Sequence, residues 1–117
     1  MVSFALTDEE RLVQQTAHDF AKREIRPMAA YYDEREEVPY DIIKKAAVVG
    51  FGISREGSLL DGGGSSLVPV ILAEELSWGC AGIALAINSS GLAGAAIMAT
   101  GSPEQRERWV KPLASGQ

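Results

Sequence analysis

The chain has 117 residues, a length typical of one domain, and its 46% hydrophobic and 23% charged residues are ordinary for a globular protein. This composition excludes collagen-like, low-complexity and wholly disordered proteins. The net charge of −5 argues against general nucleic-acid binding, because an acidic chain repels phosphate backbones. A single cysteine, Cys80, and an N-terminus without a basic and apolar leader favour a cytoplasmic protein.

The first predicted element is a helix that begins after Thr7. Glu10 lies three residues later, and the two side chains form the pattern of a capping box. Pro27 is expected to kink or divide the helix, and helical sequence continues to Tyr32. Apolar residues recur at helical spacing and predict a face toward the core: Val13, Ala17, Phe20, Ala21, Ile25 and Met28.

Two further helices are predicted over 39–49 and 67–77, the second capped by Ser66. The glycine-rich loop 51–66 between them is not a phosphate loop, because no strand precedes it and no Lys-Ser or Lys-Thr follows the glycines. A tight corner at 78–80 leads to the next helix. The residues expected to face inward are Ile42, Ile43, Ala46, Ala47, Val68, Ile71, Leu72 and Leu76.

The fourth predicted helix, 81–100, lies in a stretch without Asp, Glu, Lys or Arg between Glu75 and Glu104. A stretch of this length is also compatible with a membrane span. Asn88 and Ser89 in its middle, and the excess of alanine over leucine, argue against insertion. We expect instead a central helix that other helices bury on all sides.

The fifth predicted helix begins with Ser102 as its cap and Pro103 as its first residue, and it reaches about Leu113. Trp109 and Val110 are expected to face the core. No segment has a convincing strand pattern. The sequence therefore predicts an all-α fold, an orthogonal or up-down helical bundle of about five to six helices.

Residues that carry chemistry are few. His18 is the only histidine and is expected at the surface, on the polar side of the first helix. Cys80 is expected to serve packing, not nucleophilic attack. The sequence contains no Cys/His cluster of the kind that binds a metal. We therefore assign no catalytic residue and no metal site.

One face of the fourth helix is the candidate site. Leu85, Asn88, Ser89 and Leu92 fall at i, i+3, i+4 and i+7 and so share a face. An apolar face with a small polar patch is typical of a pocket wall. The alternative is tight helix packing in which Asn88 is hydrogen-bonded internally.

Several segments together resemble the N-terminal helical domain of the flavin-dependent acyl-CoA dehydrogenases. The most specific is the run Glu-Glu-Leu-Ser-x-Gly-Cys-x-Gly-Ile at 74–83. The other segments are 6–11, 20–27, 71–73, 101–105 and 109–116. The resemblance covers essentially the whole chain, 1–117.

The resemblance implies an enzyme with this helical domain, a middle β-barrel domain and a C-terminal helical domain, the last two expected to be absent from this chain. It implies dehydrogenation of an acyl-CoA thioester between its α and β carbons. A glutamate, usually in the C-terminal domain, removes the α-proton, and FAD takes the β-hydride. The resemblance also implies electron-transfer flavoprotein as the acceptor and a homo-oligomeric enzyme. The chain alone is expected to be inactive and not to hold FAD.

In this family, the helix matching 81–100 lines the deep end of the acyl pocket. The resemblance therefore supports Leu85, Asn88, Ser89 and Leu92 as substrate-binding residues. Some medium-chain relatives have a charged residue where this chain has Asn88, so the pocket floor differs there. The segment 53–64 lacks the aromatic residue of the family's glycine-rich loop, and contacts through that loop are not carried over.

Two other functions stay open at this point. One is a stand-alone helical binding module without enzymatic activity, which should have a polar surface and remain monomeric. The other is a membrane hairpin, which should partition into detergent. A domain that packs on further domains should instead expose apolar faces.

Overall fold

A computed structural model of the protein describes residues 5–51 and 67–114. Most of the glycine-rich loop predicted over 51–66, including the 53–64 segment and the Ser66 cap, lies outside the described residues. The helices are α1 (Asp8–Phe20), α2 (Ala29–Arg35), α3 (Tyr40–Val49), α4 (Val68–Gly79), α5 (Ala81–Asn88), α6 (Ser90–Thr100), α7 (Pro103–Gln105) and α8 (Lys111–Ala114). The described ranges contain no strand, and the predicted all-α fold is confirmed.

The division of the first helix at Pro27 is confirmed. A π-helical turn, Ala21–Ile25, follows α1, and a 3-10 turn, Arg26–Met28, contains the proline and leads into α2. Proline has no N–H to donate, and its ring clashes with the carbonyl four residues earlier. The wide π-helical turn before Pro27 and the tight 3-10 turn that contains it let the chain continue in the helical direction despite that clash. The last α-helical segment, Lys111–Ala114, is likewise joined to α7 by a π-helical turn, Arg106–Val110.

The predicted capping box at the start of α1 is present. The Thr7 backbone N–H donates to Glu10 Oε2 at 2.8 Å, and the Glu10 N–H donates to Thr7 Oγ1 at 3.2 Å. Ser102 and Gln105 form a second box at the start of α7. Each box satisfies backbone donors that have no partner inside the helix.

We expect Thr7→Ala to lower the free energy of unfolding by about 1 kcal/mol, because it removes the side-chain acceptor of the first capping box. Chemical denaturation followed by circular dichroism measures the change. Thr16→Ala is the matched control. Thr16 is exposed inside α1 and its hydroxyl donates only to the Leu12 carbonyl at 2.7 Å, so its loss should be neutral or slightly stabilising. Equal losses for both variants would contradict the prediction.

The core lies where α1 and the turn after it pack against α4, with α3 and α5 closing one end. Ile25 and Leu76 are its largest fully buried side chains. The aromatic rings of Phe20 and Phe51 meet edge-on, with centroids 5.4 Å apart. The predicted face of the first helix supplies most of the α1 side. The buried core residues are Ala17, Phe20, Ala21, Ile25, Ile42, Ala46, Phe51, Leu76, Ile83, Ala84 and Ile87.

The structure corrects two expectations about burial. The segment 81–100 is not surrounded by helices: it is divided at Ser89, and Leu85 and Leu92 are 65% and 75% exposed. The molecule is only 19 Å across in its shortest dimension, about two helix diameters. Within residues 5–51 and 67–114, a layer that thin has no third set of helices to cover α5 and α6. Trp109, expected in the core, is 51% exposed.

Candidate functional site

The candidate site is the outer face of α5 and the start of α6. The four residues predicted to share this face are all exposed: Leu85, Asn88, Ser89 and Leu92. The opposite side of α5 packs into the core through Ile83, Ala84 and Ile87, which are each less than 5% exposed. The helix therefore has one side in the core and one side without any cover from the described residues. We refer to the four exposed residues as the α5–α6 face.

The two polar residues of the α5–α6 face hydrogen-bond to their own helix. Asn88 Nδ2 donates to the Ala84 carbonyl at 3.1 Å, and Ser89 Oγ donates to the Ala86 carbonyl at 3.0 Å. The backbone also changes here, because the Leu92 N–H donates to the Ser89 carbonyl, three residues back, at 3.2 Å. Side chains that bond to nearby backbone compete with the regular helix. The interruption at Ser89 therefore coincides with the polar patch in the middle of the face.

The corner before α5 determines the direction of the α5–α6 face. Cys80 is extended, with φ −169° and ψ 121°, and separates α4 from α5. Immediately before it, Gly79 is buried against the turn that follows α1. A Cβ at Gly79 would lie 2.9 Å from Ile25 Cβ and 3.2 Å from Ala21 Cβ. The absence of a side chain therefore allows the end of α4 to approach the first helix closely.

Four side chains fix the end of α4 to the first helix, and we call them the α1–α4 clamp: His18, Arg26, Glu75 and Trp78. His18 Nδ1 lies 2.8 Å from Glu75 Oε2. Arg26 Nη1 donates to the Trp78 carbonyl at 3.0 Å, with the guanidinium 4.5 Å from the centre of the Trp78 ring. The His18 ring lies 4.4 Å from the same ring. A cation at the last carbonyls of a helix also complements its dipole.

His18, expected at the surface, is half-buried and contacts Glu75. Its side chain is 36% exposed and that of Glu75 is 14% exposed. These residues are 57 positions apart in the sequence, so helical spacing within α1 or α4 gives no sign of the contact. The only signal in the sequence is that α1 and α4 each carry a residue, His18 and Glu75, whose side chain can form a hydrogen bond with the other.

The described residues contain no group of three or more His, Cys, Asp or Glu side chains that could hold a metal ion. Cys80 is a free thiol of intermediate burial at the α4–α5 corner, and it packs against the core. A shallow hollow of about 460 Å³ lies at the far end of α6, away from Asn88 and Ser89. Its lining residues are Ala96, Ile97, Thr100, Gly101, Gln105 and Trp109. The α5–α6 face is therefore suited to bind an apolar partner and to make a few polar contacts with it.

By length and composition alone, the segment Ala81–Thr100 could also cross a membrane, with a mean hydropathy of 1.5. It is the one such segment among the described residues. Mostly buried core helices of soluble proteins pass the same test, but only 24% of this window is buried. Its exposed side carries Asn88 and Ser89 at mid-length, where the hydrocarbon is least tolerant of polar groups.

Comparison with known proteins identifies the family. The acyl-CoA dehydrogenase N-terminal domain matches residues 7–117. The short-chain-specific acyl-CoA dehydrogenase of Clostridium acetobutylicum is 36% identical over 99% of this chain and 31% of its own length. The 3-(aryl)acrylate reductase of Clostridium sporogenes is also 36% identical, over 95% of this chain and 30% of its own length.

The fold agrees with a solved relative. Glutaryl-CoA dehydrogenase from Mycobacterium smegmatis superimposes with a TM-score of 0.79 and 30% identity, over 96% of this chain and 30% of that one. This chain therefore spans about a third of the length of the relatives it matches. The helices, the capping boxes, the Cys80 corner and these similarities lead to one conclusion: the chain belongs to the acyl-CoA dehydrogenase family, in which it corresponds to the N-terminal helical domain.

Proposed function

We propose that this chain forms one wall of the acyl pocket of a FAD-dependent acyl-CoA dehydrogenase and is not catalytic by itself. The observation that carries the proposal is the α5–α6 face. Its four residues are exposed, two of them are leucines, and nothing in the described chain covers them. In a domain of this family, an uncovered apolar face with a central polar patch is suited to contact an acyl group and the neighbouring domains.

In the proposed reaction, an acyl-CoA thioester would lose its α-proton to a glutamate base on another part of the enzyme. FAD, when bound, would supply the acceptor for the β-hydride, and the product would be an enoyl-CoA. This chain positions the acyl group and excludes water from it. Leu85 and Leu92 contact the hydrocarbon part of the substrate, and Asn88 and Ser89 lie between them. The α1–α4 clamp and Gly79 keep this face in place by fixing the end of α4, from which α5 departs.

The residues of this chain do not fit FAD. Between Leu67 and Pro103 the sequence contains no Lys or Arg that could pair with the pyrophosphate of the cofactor. The α5–α6 face instead carries two leucines and two polar side chains, Asn88 and Ser89, which donate hydrogen bonds to backbone carbonyls of their own helix. FAD is therefore proposed to be held by other parts of the enzyme, which are also proposed to supply the glutamate base.

The partners and location follow from the same proposal. The substrate is an acyl-CoA, the electron acceptor is an electron-transfer flavoprotein, and the enzyme is a cytoplasmic homo-oligomer. The net charge of −5 supports the absence of nucleic-acid binding. The exposed apolar residues of α5 and α6 support contact with further protein and not with a membrane.

The direct test is to isolate, from the source cells, the native polypeptide that contains this sequence and to measure its intact mass and visible absorbance. We expect a polypeptide about three times as long as this chain, in keeping with its relatives, with bound flavin and acyl-CoA dehydrogenase activity. A colourless native polypeptide of 12.5 kDa would contradict the proposal. If it remained monomeric it would indicate a stand-alone binding module, and partition into detergent would indicate a membrane protein.

A further inference from the structure

We propose that His18 and Glu75 act as one positioning pair for the acyl pocket: their contact holds the end of α4, and through the Cys80 corner it sets where the α5–α6 face stands. Neither residue belongs to that face. The inference rests on the function proposed above and assigns, for the same site, the distant contact that controls how well the wall fits an acyl chain. It is carried by the geometry of the α1–α4 clamp and of the corner that follows it.

The first step is the strength of the contact between the two residues. His18 lies in the last turn of α1, and Glu75 lies one turn before the end of α4. The His18 Nδ1 is 2.8 Å from Glu75 Oε2, and the Glu75 side chain is only 14% exposed. A carboxylate oxygen can only accept, so His18 Nδ1 carries the proton of this hydrogen bond. Because solvent screens it poorly, the contact is stronger than an ordinary surface pair.

The second step is what this contact adds to packing. Packing around Gly79 brings α4 to the rotation at which the pair can form, but apolar contact depends on area and has no preferred direction. A hydrogen bond weakens steeply away from its preferred angle. The clamp supplies two of them, from His18 to Glu75 and from Arg26 to the Trp78 carbonyl at 3.0 Å. Held at two points three residues apart, the end of α4 resists rotation about its own axis.

The third step is the path from α4 to the candidate site. Cys80 is the one residue between α4 and α5. Its N–H donates to the Leu76 carbonyl at 3.3 Å, and its carbonyl accepts from the Ala84 N–H at 2.9 Å. The corner is therefore bonded to both helices, and a rotation of α4 is passed on to α5. Leu85 lies about 7 Å along α5 from the corner, so a change of about 10° in the direction of α5 moves it by about 1 Å.

A shift of this size has a measurable effect on a reaction. A misplacement of about 1 Å, caused far from the reacting atoms, can lower a rate by about a hundredfold. An acyl chain that reaches far along the α5–α6 face is affected more than a short one. A simple loss of folded enzyme lowers the activity on both substrates equally. The ratio of kcat/KM for a long and a short substrate therefore separates positioning from stability.

The experiment uses the FAD-loaded enzyme that contains this chain and an artificial electron acceptor. The substrates are the shortest and the longest straight-chain acyl-CoA that the unmodified enzyme oxidises. Glu75→Ala removes the acceptor for His18, and we expect the long-to-short ratio of kcat/KM to fall by about tenfold. Glu75→Gln keeps an oxygen acceptor at the same place and should keep the ratio within about twofold of its original value.

His18→Ala tests the pair from its other side. The His18 side chain is 36% exposed, so we expect this variant to fold even if Glu75→Ala does not. It should lower the long-to-short ratio as Glu75→Ala does. The double variant should show no further fall, because residues that act through one contact have non-additive effects.

Glu24→Ala is the matched control. Glu24 Oε2 accepts a hydrogen bond from Lys45 Nζ at 2.6 Å, a contact of the same kind that joins the turn after α1 to α3 and does not involve α4. Its loss should leave the long-to-short ratio unchanged.

The outcomes separate this inference from the proposed function. An unchanged ratio in Glu75→Ala and His18→Ala overturns the inference, and so does a fall of the same size in Glu24→Ala. Additive losses in the double variant, or a Glu75→Gln ratio as low as that of Glu75→Ala, overturn it as well. In each of these cases, oxidation of acyl-CoA by the unmodified enzyme still supports the proposed function. Failure of the unmodified enzyme to oxidise any acyl-CoA overturns both.

Discussion

Replacing Gly79 by leucine should lower the free energy of unfolding by about 3 kcal/mol or more, the upper range for overpacking a core. The Cβ alone would lie 2.9 Å from both Ile25 Cβ and Ile25 Cγ2. Ile25 is fully buried and its Cβ is attached to the backbone of the π-helical turn, so it cannot move aside as the tip of a long side chain can. The end of α4 must therefore separate from the first helix. Thermal and urea denaturation followed by circular dichroism measure the loss.

Gly79→Ala should give a smaller loss in the same direction, because the gain in helix propensity, about 1 kcal/mol, offsets part of the clash. Gly91→Ala in α6 is the matched control. An added Cβ at Gly91 meets nothing within 4 Å, so this substitution should be neutral or stabilise by up to about 1 kcal/mol. If Gly79→Ala were as stable as Gly91→Ala, the close approach of α4 to the first helix would not restrict which side chain position 79 can accommodate.

The elements that the sequence predicts well are those determined by neighbouring residues. The capping boxes at Thr7 and Ser102 need partners only three positions away, and the division at Pro27 follows from the proline ring itself. The corner at Cys80 is signalled by the glycines on both sides of it. Periodicity also predicts the core side of α1, from Ala17 to Ile25, because a helix repeats its face every 3.6 residues.

Contacts between distant parts of the chain are not predictable in this way. Periodicity shows that Leu85 and Leu92 share a face, but it contains no information on whether another element covers that face. The prediction of all-round burial for 81–100 failed for this reason. The contact between His18 and Glu75 was missed because it depends on the relative rotation of α1 and α4, which side-chain packing around Gly79 determines. The exposed apolar residues expected of a domain that packs on further domains are present, but the expected all-round burial of 81–100 is not. Substrate binding by Leu85, Asn88, Ser89 and Leu92 stays a prediction.

Replacing Ser89 by phenylalanine should change the acyl-chain preference of the enzyme that contains this chain. Ser89 is exposed at the middle of the α5–α6 face, and in the proposed pocket a ring at this position occupies space that a long acyl chain needs. We expect kcat/KM for octanoyl-CoA to fall by about a hundredfold, comparable to the strongest discrimination that pocket size gives. The value for butyryl-CoA should change much less. Steady-state kinetics over a series of chain lengths measure the preference.

Ser89→Ala is the control for this prediction. It removes the hydroxyl that donates to the Ala86 carbonyl but adds no volume, so the ratio of octanoyl-CoA to butyryl-CoA activity should stay as in the unmodified enzyme. Since Ser89 is exposed, neither substitution places a group in the core, and circular dichroism should show intact helices for both. A uniform loss for every chain length in Ser89→Phe, with the helices intact, would mean that the ring disturbs the packing of α5 and α6 on other domains. The α5–α6 face would then be an interdomain contact, and the wall of the acyl pocket would have to lie elsewhere.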